Sequence, residues 1–99
     1  MTLPSADVRV HVTGAGPPIV LLHCLGVDHR LWDGVVDALR TEYRVLTYDL
    51  PGHGESATPR ASYAIDDLAD QLASILDAHG VPRAHVAGMS LGGCVAQSF

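Results

Sequence analysis

Apolar residues fall into short blocks along this chain, and the spacing inside each block predicts an element. In DVRVHV (residues 7–12), Val8, Val10 and Val12 alternate with polar neighbours, the period of a half-exposed strand. GAGPP (14–18) combines permissive glycines with helix-breaking prolines and reads as a turn. IVLLH (19–23) is an unbroken aliphatic run, the pattern of a strand buried on both faces. A helix follows, capped by Asp28, with Leu31, Trp32, Val35, Val36 and Leu39 recurring at three- and four-residue steps and Gly34 as a weak point inside it. YRVLTYD (43–49) predicts the next strand, and LPGHGES (50–56) a loop. SYAIDDLADQLASILDAHG (62–80) predicts the clearest helix. Ser62 caps it, Ile65, Leu68, Ala69, Leu72, Ile75 and Leu76 make its apolar stripe, and Gly80 and Pro82 end it. AHVAGM (84–89) predicts a last strand, with a helix starting just after Ser90.

The order is β, β, α, β, α, β, α. Strands alternating with helices predict an α/β fold: a mostly parallel sheet with helices on both faces, joined by right-handed crossovers. No repeat, linker or low-complexity stretch divides the chain, so residues 1–99 read as one unit. In such sheets reactive groups gather at the carboxyl ends of the strands. Three unusual loops fall there: 23–26, 49–56 and 88–92.

Composition narrows the function without naming it. Hydrophobic residues make up 47% of the chain, which is globular rather than disordered. The formal net charge is −5, every cation is an arginine, and none are clustered, so nucleic acid is not an expected partner. Asp66, Asp67, Asp70 and Asp77 read as the solvated face of the long helix. No secretory leader and no apolar run of membrane-spanning length is visible, so no membrane partner is expected. Cys24 and Cys94 are too few for a disulfide framework, and a reducing cytoplasm is the expected location.

The chemistry concentrates in HVAGMSLGG (85–93). A strand turning sharply into a helix needs small residues on both sides, and Gly88 and Gly92 supply them, while Gly93 lets the helix pack closely. Such a turn holds its middle residue, Ser90, strained and exposed, with the N-terminus of the next helix favouring negative charge beside it. A serine in an ordinary glycine-rich turn is the bland alternative, and the strand before and helix after favour a nucleophile. An oxyanion needs two donors. The N–H of Leu91 is one; the second is expected in HCLG (23–26), where Leu25 is the choice. His23 reads as a buried histidine that hydrogen-bonds the loop rather than as a base, and Cys24 as packing, since nothing nearby activates it. Gly26 helps shape the same loop. His53 reads as a loop-stabilising residue. His11, His29, His79 and His85 are scattered without metal-site spacing, so no metal and no cofactor is expected. Gly14-Ala15-Gly16 begins like a dinucleotide fingerprint, but Pro17, Pro18 and the missing third glycine remove it.

VLLHCLG, YDLPGHGES and VAGMSLGG, in this order and spacing, resemble the N-terminal part of an α/β-hydrolase fold enzyme, over nearly the whole chain. LLHCLGVDHRLWDGVVDAL followed by YRVLTYDLPGHGESATP is most similar to the 3-oxoadipate enol-lactone hydrolases. The resemblance implies that Ser90 attacks an ester or lactone carbonyl, that the oxyanion sits on Leu25 and Leu91, and that an acyl-enzyme is then hydrolysed. The implied substrate is the enol-lactone of aromatic catabolism. Carboxylesterases, C–C bond hydrolases and cofactor-free haloperoxidases share much of the pattern, and a non-catalytic scaffold that kept the turn is the non-enzymatic alternative. Dehalogenases of this fold carry aspartate where Ser90 stands. Glycine often follows the family's first-loop histidine; Cys24 stands there in this chain, where its side chain narrows the pocket or brings a thiol near the substrate.

In this fold the triad runs Ser, then Asp or Glu, then His. The resemblance therefore implies an acid, a histidine and a lid downstream of Phe99, and makes residues 1–99 an incomplete N-terminal portion of one domain. The expected partners are a small ester or lactone and the missing C-terminal portion of the same fold. The piece alone is expected to be inactive.

Overall fold

A computed structural model describes residues 2–99. Its elements follow the expected order: β1 (Val10–Thr13), β2 (Pro18–Leu22), α1 (Asp33–Leu39), β3 (Arg44–Tyr48), α2 (Ile65–Ala78), β4 (His85–Gly88) and α3 (Leu91–Ser98). The four strands form one sheet in the order β1-β3-β2-β4. β3, β2 and β4 are parallel, and β1 runs antiparallel on β3 with His11 opposite Thr47. Parallel neighbours put the ends of β3, β2 and β4 on one edge, with Leu22 level with Gly88.

The continuous apolar run in β2 behaves as its pattern demands. Val20, Leu21 and Leu22 are all buried, with alternate residues going to opposite faces. Val20, Leu22, Leu46 and Tyr48 meet Leu68, Leu72, Ile75 and Leu76 of α2 and Val95 of α3 in one core. Full burial of each large aliphatic side chain is worth about 1.5–3 kcal/mol. Leu21 and Val45 are buried outside that cluster, on the sheet's second face. α1 contacts β3 there, and the 3₁₀ turn His29–Trp32 before it contacts both β2 and β3.

Several local details differ from the sequence expectation. β1 starts at Val10 because Ser5–Asp7 form a 3₁₀ turn behind Pro4, closed by the Asp7 and Val8 N–H groups. Asp28 caps as expected, accepting from the Arg30 N–H at 2.9 Å, but the turn it starts is 3₁₀ and α1 proper begins at Asp33. The apolar stripe expected here is only half covered: Leu31, in the 3₁₀ turn, is 42% exposed and Val35, in α1, 39%. α2 starts at Ile65, not after Ser62. Asp67 accepts the Ala64 N–H at 2.7 Å, so the cap comes from inside the first turn, and that bond holds the Asp67 carboxyl below its usual range. The C-terminus of α2 follows the expectation. Gly80 sits at φ +65°, and the N–H groups of Gly80 and Val81 close onto Asp77 and Leu76. No helix among the described residues is long and apolar enough to cross a membrane.

Candidate active site

β4 ends at Gly88, and the chain reverses into α3 through Met89-Ser90-Leu91-Gly92. The Gly92 N–H donates to the Met89 carbonyl at 3.0 Å, closing a four-residue turn. Ser90 has φ 53° and ψ −111°, and it is the one non-glycine residue with positive φ among the described residues. Those angles belong to the first central position of a type II′ turn, which glycine ordinarily fills. The Ser90 side chain makes no cap bond and the residue is exposed. The backbone is therefore strained while the hydroxyl stands free, the posture a nucleophile needs.

The flanking glycines are there for contact. A Cβ on Gly92 would lie 2.2 Å from the Leu22 carbonyl oxygen, and one on Gly88 would lie 2.2 Å from Gly92. α3 is pressed against the end of β2 at this point. Gly93 is tight to a lesser degree, 3.3 Å from the Gly88 oxygen. The Met89 N–H also donates to the Leu22 carbonyl at 3.1 Å, so the ends of β2 and β4 are tied together.

That tie brings the loop after β2 beside Ser90. His23 is fully buried and links two strands. The Leu50 N–H donates to its Nε2 at 2.9 Å, which places the ring proton on Nδ1, and Nδ1–H donates to the Cys24 carbonyl at 2.8 Å. Burial lowers its pKa, against a smaller opposing effect of the Cys24 bond. A neutral ring with both nitrogens engaged is a fastener, in line with the sequence reading. Leu25 follows, 71% exposed, and Gly26 turns the chain at φ +84°. The backbone N–H groups of Leu25 and Leu91 donate to no protein acceptor among the described residues. Cys24 is partly buried and Cys94 exposed, and both are free thiols. A groove of 520 Å³ lined by Gly26, Val27, Asp28, Arg30 and Leu31 opens next to this loop.

The third loop hangs on Asp49, a residue to which the sequence reading gave no role. Its Oδ1 accepts the backbone N–H and the ring Nδ1–H of His29, both at 2.7 Å, and its Oδ2 accepts the Glu55 N–H at 2.9 Å. Gly54 lies so close that a Cβ there would meet Oδ2 at 2.2 Å. Burial pushes the Asp49 carboxyl up, but the bonds from Glu55 and His29 outweigh it and hold the pKa below the usual range. Ser56 Oγ–H bonds the Asp49 carbonyl, and His53 Nδ1–H donates to Pro51 at 3.0 Å, the loop-stabilising bond expected of it.

The reading of the histidines as scattered is corrected here. His11 and His29 stack with centroids 4.1 Å apart and planes 17° from parallel. The antiparallel register of β1 on β3, invisible in the sequence, makes this contact. Asp28, His29 and Asp49 also bring one potential metal-ligand atom each within 4.8 Å of one another. Those atoms are already engaged: Arg30 covers Asp28 with a bond at 2.8 Å from Nη2 and holds its carboxyl at about 2, and His29 is bonded to Asp49. His79 donates to the Ile75 carbonyl, and His85 meets Tyr43 edge-on.

Residues 17–99 match the family model of the α/β hydrolase fold. The chain belongs to the α/β-hydrolase fold family. Among curated relatives, 3-oxoadipate enol-lactonase 1 of Acinetobacter baylyi is 38% identical over 90 residues, covering 91% of this chain and 34% of that protein. The pimeloyl-[acyl-carrier protein] methyl ester esterase of Aeromonas hydrophila is 42% identical over 94 residues, covering 94% of this chain and 35% of the esterase. Among solved structures, the enol-lactonase of Burkholderia xenovorans LB400 superposes with a TM-score of 0.86 at 35% identity, covering 89% of this chain and 35% of that one. The chain thus spans about a third of the length of these hydrolase-fold relatives.

Proposed function

We propose that this chain carries the nucleophile and the oxyanion hole of a serine hydrolase acting on an ester or lactone carbonyl, with the enol-lactone of 3-oxoadipate as its substrate. The observation that carries the reading is the Ser90 backbone, strained at φ 53° and ψ −111° with its hydroxyl free. The similarity to an enol-lactonase and to a methyl ester esterase supports a carbonyl substrate with an oxygen leaving group.

Ser90 Oγ attacks the carbonyl carbon and gives its proton to a histidine base supplied by a later segment of the fold. The carbonyl oxygen becomes an oxyanion on the Leu25 and Leu91 N–H groups, with the N-terminus of α3 adding favourable charge. Collapse breaks the acyl C–O bond, and the leaving oxygen takes the proton back from the base. A lactone therefore opens without losing a fragment, and its enol product tautomerises to the ketone. Water then attacks the Ser90 ester and releases the acid. Leu25 and the 520 Å³ groove beside it are the proposed seat of the substrate's carbon skeleton. The triad acid, the base and the lid are the partners this reading assigns to the rest of the domain.

The test is a substrate panel on the gene product that carries this chain. Enol-lactone, simple aryl esters and methyl esters are compared by kcat/KM in the wild type and in Ser90→Ala. The proposal expects the lactone to be preferred and Ser90→Ala to lose at least about 10³-fold. Preference for a methyl ester corrects the substrate and keeps the mechanism. Unchanged turnover in Ser90→Ala, or no turnover of any member of the panel, sinks the proposal.

A further inference from the structure

The loop that carries Leu25 is fastened at both of its ends to the same place. At one end His23 takes the Leu50 N–H on Nε2 and gives Nδ1–H to Cys24. At the other end His29 gives two hydrogen bonds to Asp49, the residue just before Leu50. Residues 24–28 bridge these two points. Leu25, Gly26 and Val27 are exposed and have few neighbours to hold them. Their conformation thus depends on where the two histidines are fixed.

His29 is fixed more firmly than a surface histidine. Its side chain is 17% exposed and that of Asp49 4%. The Asp49 carboxylate cannot swing away, because Glu55 N–H holds Oδ2 and Gly54 packs against it. The His11 ring, on β1, lies flat against the His29 ring with centroids 4.1 Å apart, so His29 is held by a stack as well as by its bonds to Asp49. We propose that His29 is a positioning residue for the oxyanion loop: bonded to Asp49 and stacked on His11, it fixes the segment 24–28 and with it the Leu25 N–H. This rests on the reading of Leu25 as an oxyanion donor, but the clamp itself is measurable without any catalysis.

The experiment is backbone ¹⁵N relaxation on the gene product that carries this chain, comparing wild type with His29→Ala and His29→Asn. Asparagine keeps an amide donor near the position of Nδ1. The clamp predicts order parameters near 0.85 for residues 24–28 in the wild type, a fall to below about 0.6 in His29→Ala, and recovery in His29→Asn. Residues 20–22 and 45–48 serve as the unchanged reference. Should His29→Ala fail to fold, His29→Phe keeps a ring against His11 and removes only the Nδ1 donor. Cys24 offers a second readout: in a Cys94→Ser background its iodoacetamide alkylation is expected to speed up several-fold when His29 is lost. A loop already mobile in the wild type, a loop equally ordered in His29→Ala, or an asparagine variant as loose as alanine each overturns the proposal. These outcomes are independent of whether Ser90 turns over an ester, so failure of the clamp and failure of the hydrolase reading are separable.

Discussion

Replacing Ser90 by glycine should make this chain more stable, although it removes the proposed nucleophile. Ser90 sits at φ 53° and ψ −111°, where a side chain is strained and glycine is at ease. Strain of this kind costs about 1–3 kcal/mol. Glycine also loosens the unfolded chain, which returns about 0.4–1 kcal/mol of that gain. The net expectation is that Ser90→Gly is more stable by roughly 0.5–2 kcal/mol. Ser90→Ala is the right comparison, since it also removes the hydroxyl but keeps the Cβ and the strain. The hydroxyl makes no cap bond and is exposed, so its loss alone costs little. Urea unfolding followed by far-UV circular dichroism measures the difference. In thermal melts each 1 kcal/mol corresponds to about 4–8 °C for a domain of this size. A Ser90→Gly variant no more stable than Ser90→Ala would refute the argument that the turn is strained.

Other expectations follow from the same geometry. Gly92→Ala pushes a Cβ to 2.2 Å from the Leu22 carbonyl oxygen, and urea unfolding should show a loss of about 3 kcal/mol. His23 has a pKa lowered by burial, so below about pH 6.5 the unfolded chain binds the extra proton first. Its contribution to stability is full above that pH and declines as pH falls toward the folded pKa; the urea midpoint should drop between about pH 7.5 and 5.5, and drop less in His23→Gln. An equal drop in both proteins would contradict this assignment. The 99-residue chain by itself should show no p-nitrophenyl acetate hydrolysis that depends on Ser90, because the proposed oxyanion donors alone do not activate a serine; a rate abolished by Ser90→Ala would contradict it.

Much of the fold is legible in the sequence because each element's signal is local. IVLLH reads as a doubly buried strand, and Val20, Leu21 and Leu22 are buried on both faces. The α2 stripe reads as a helix face, and Leu68, Leu72, Ile75 and Leu76 make the core. Gly88 and Gly92 mark a turn that needs small residues, and the structure shows the contacts they avoid. Element starts are less legible. Asp67 rather than Ser62 caps α2, because a carboxylate within the first turn reaches back to the Ala64 N–H. The half-open α1 stripe is a tertiary matter, since periodicity says which face is apolar and not what covers it. The Asp49–His29–His11 arrangement was least legible. It joins residues from β1, from the loop after β2 and from the end of β3, and only the strand register brings them together.

The most direct measurement of the central claim is covalent labelling of the gene product that carries this chain. A fluorophosphonate phosphonylates an activated serine and leaves an unactivated one alone. Peptide mass spectrometry should find the adduct on Ser90 in the segment HVAGMSLGG, and none in Ser90→Ala. A folded protein with no adduct at Ser90, or with the adduct on another serine, would contradict the account.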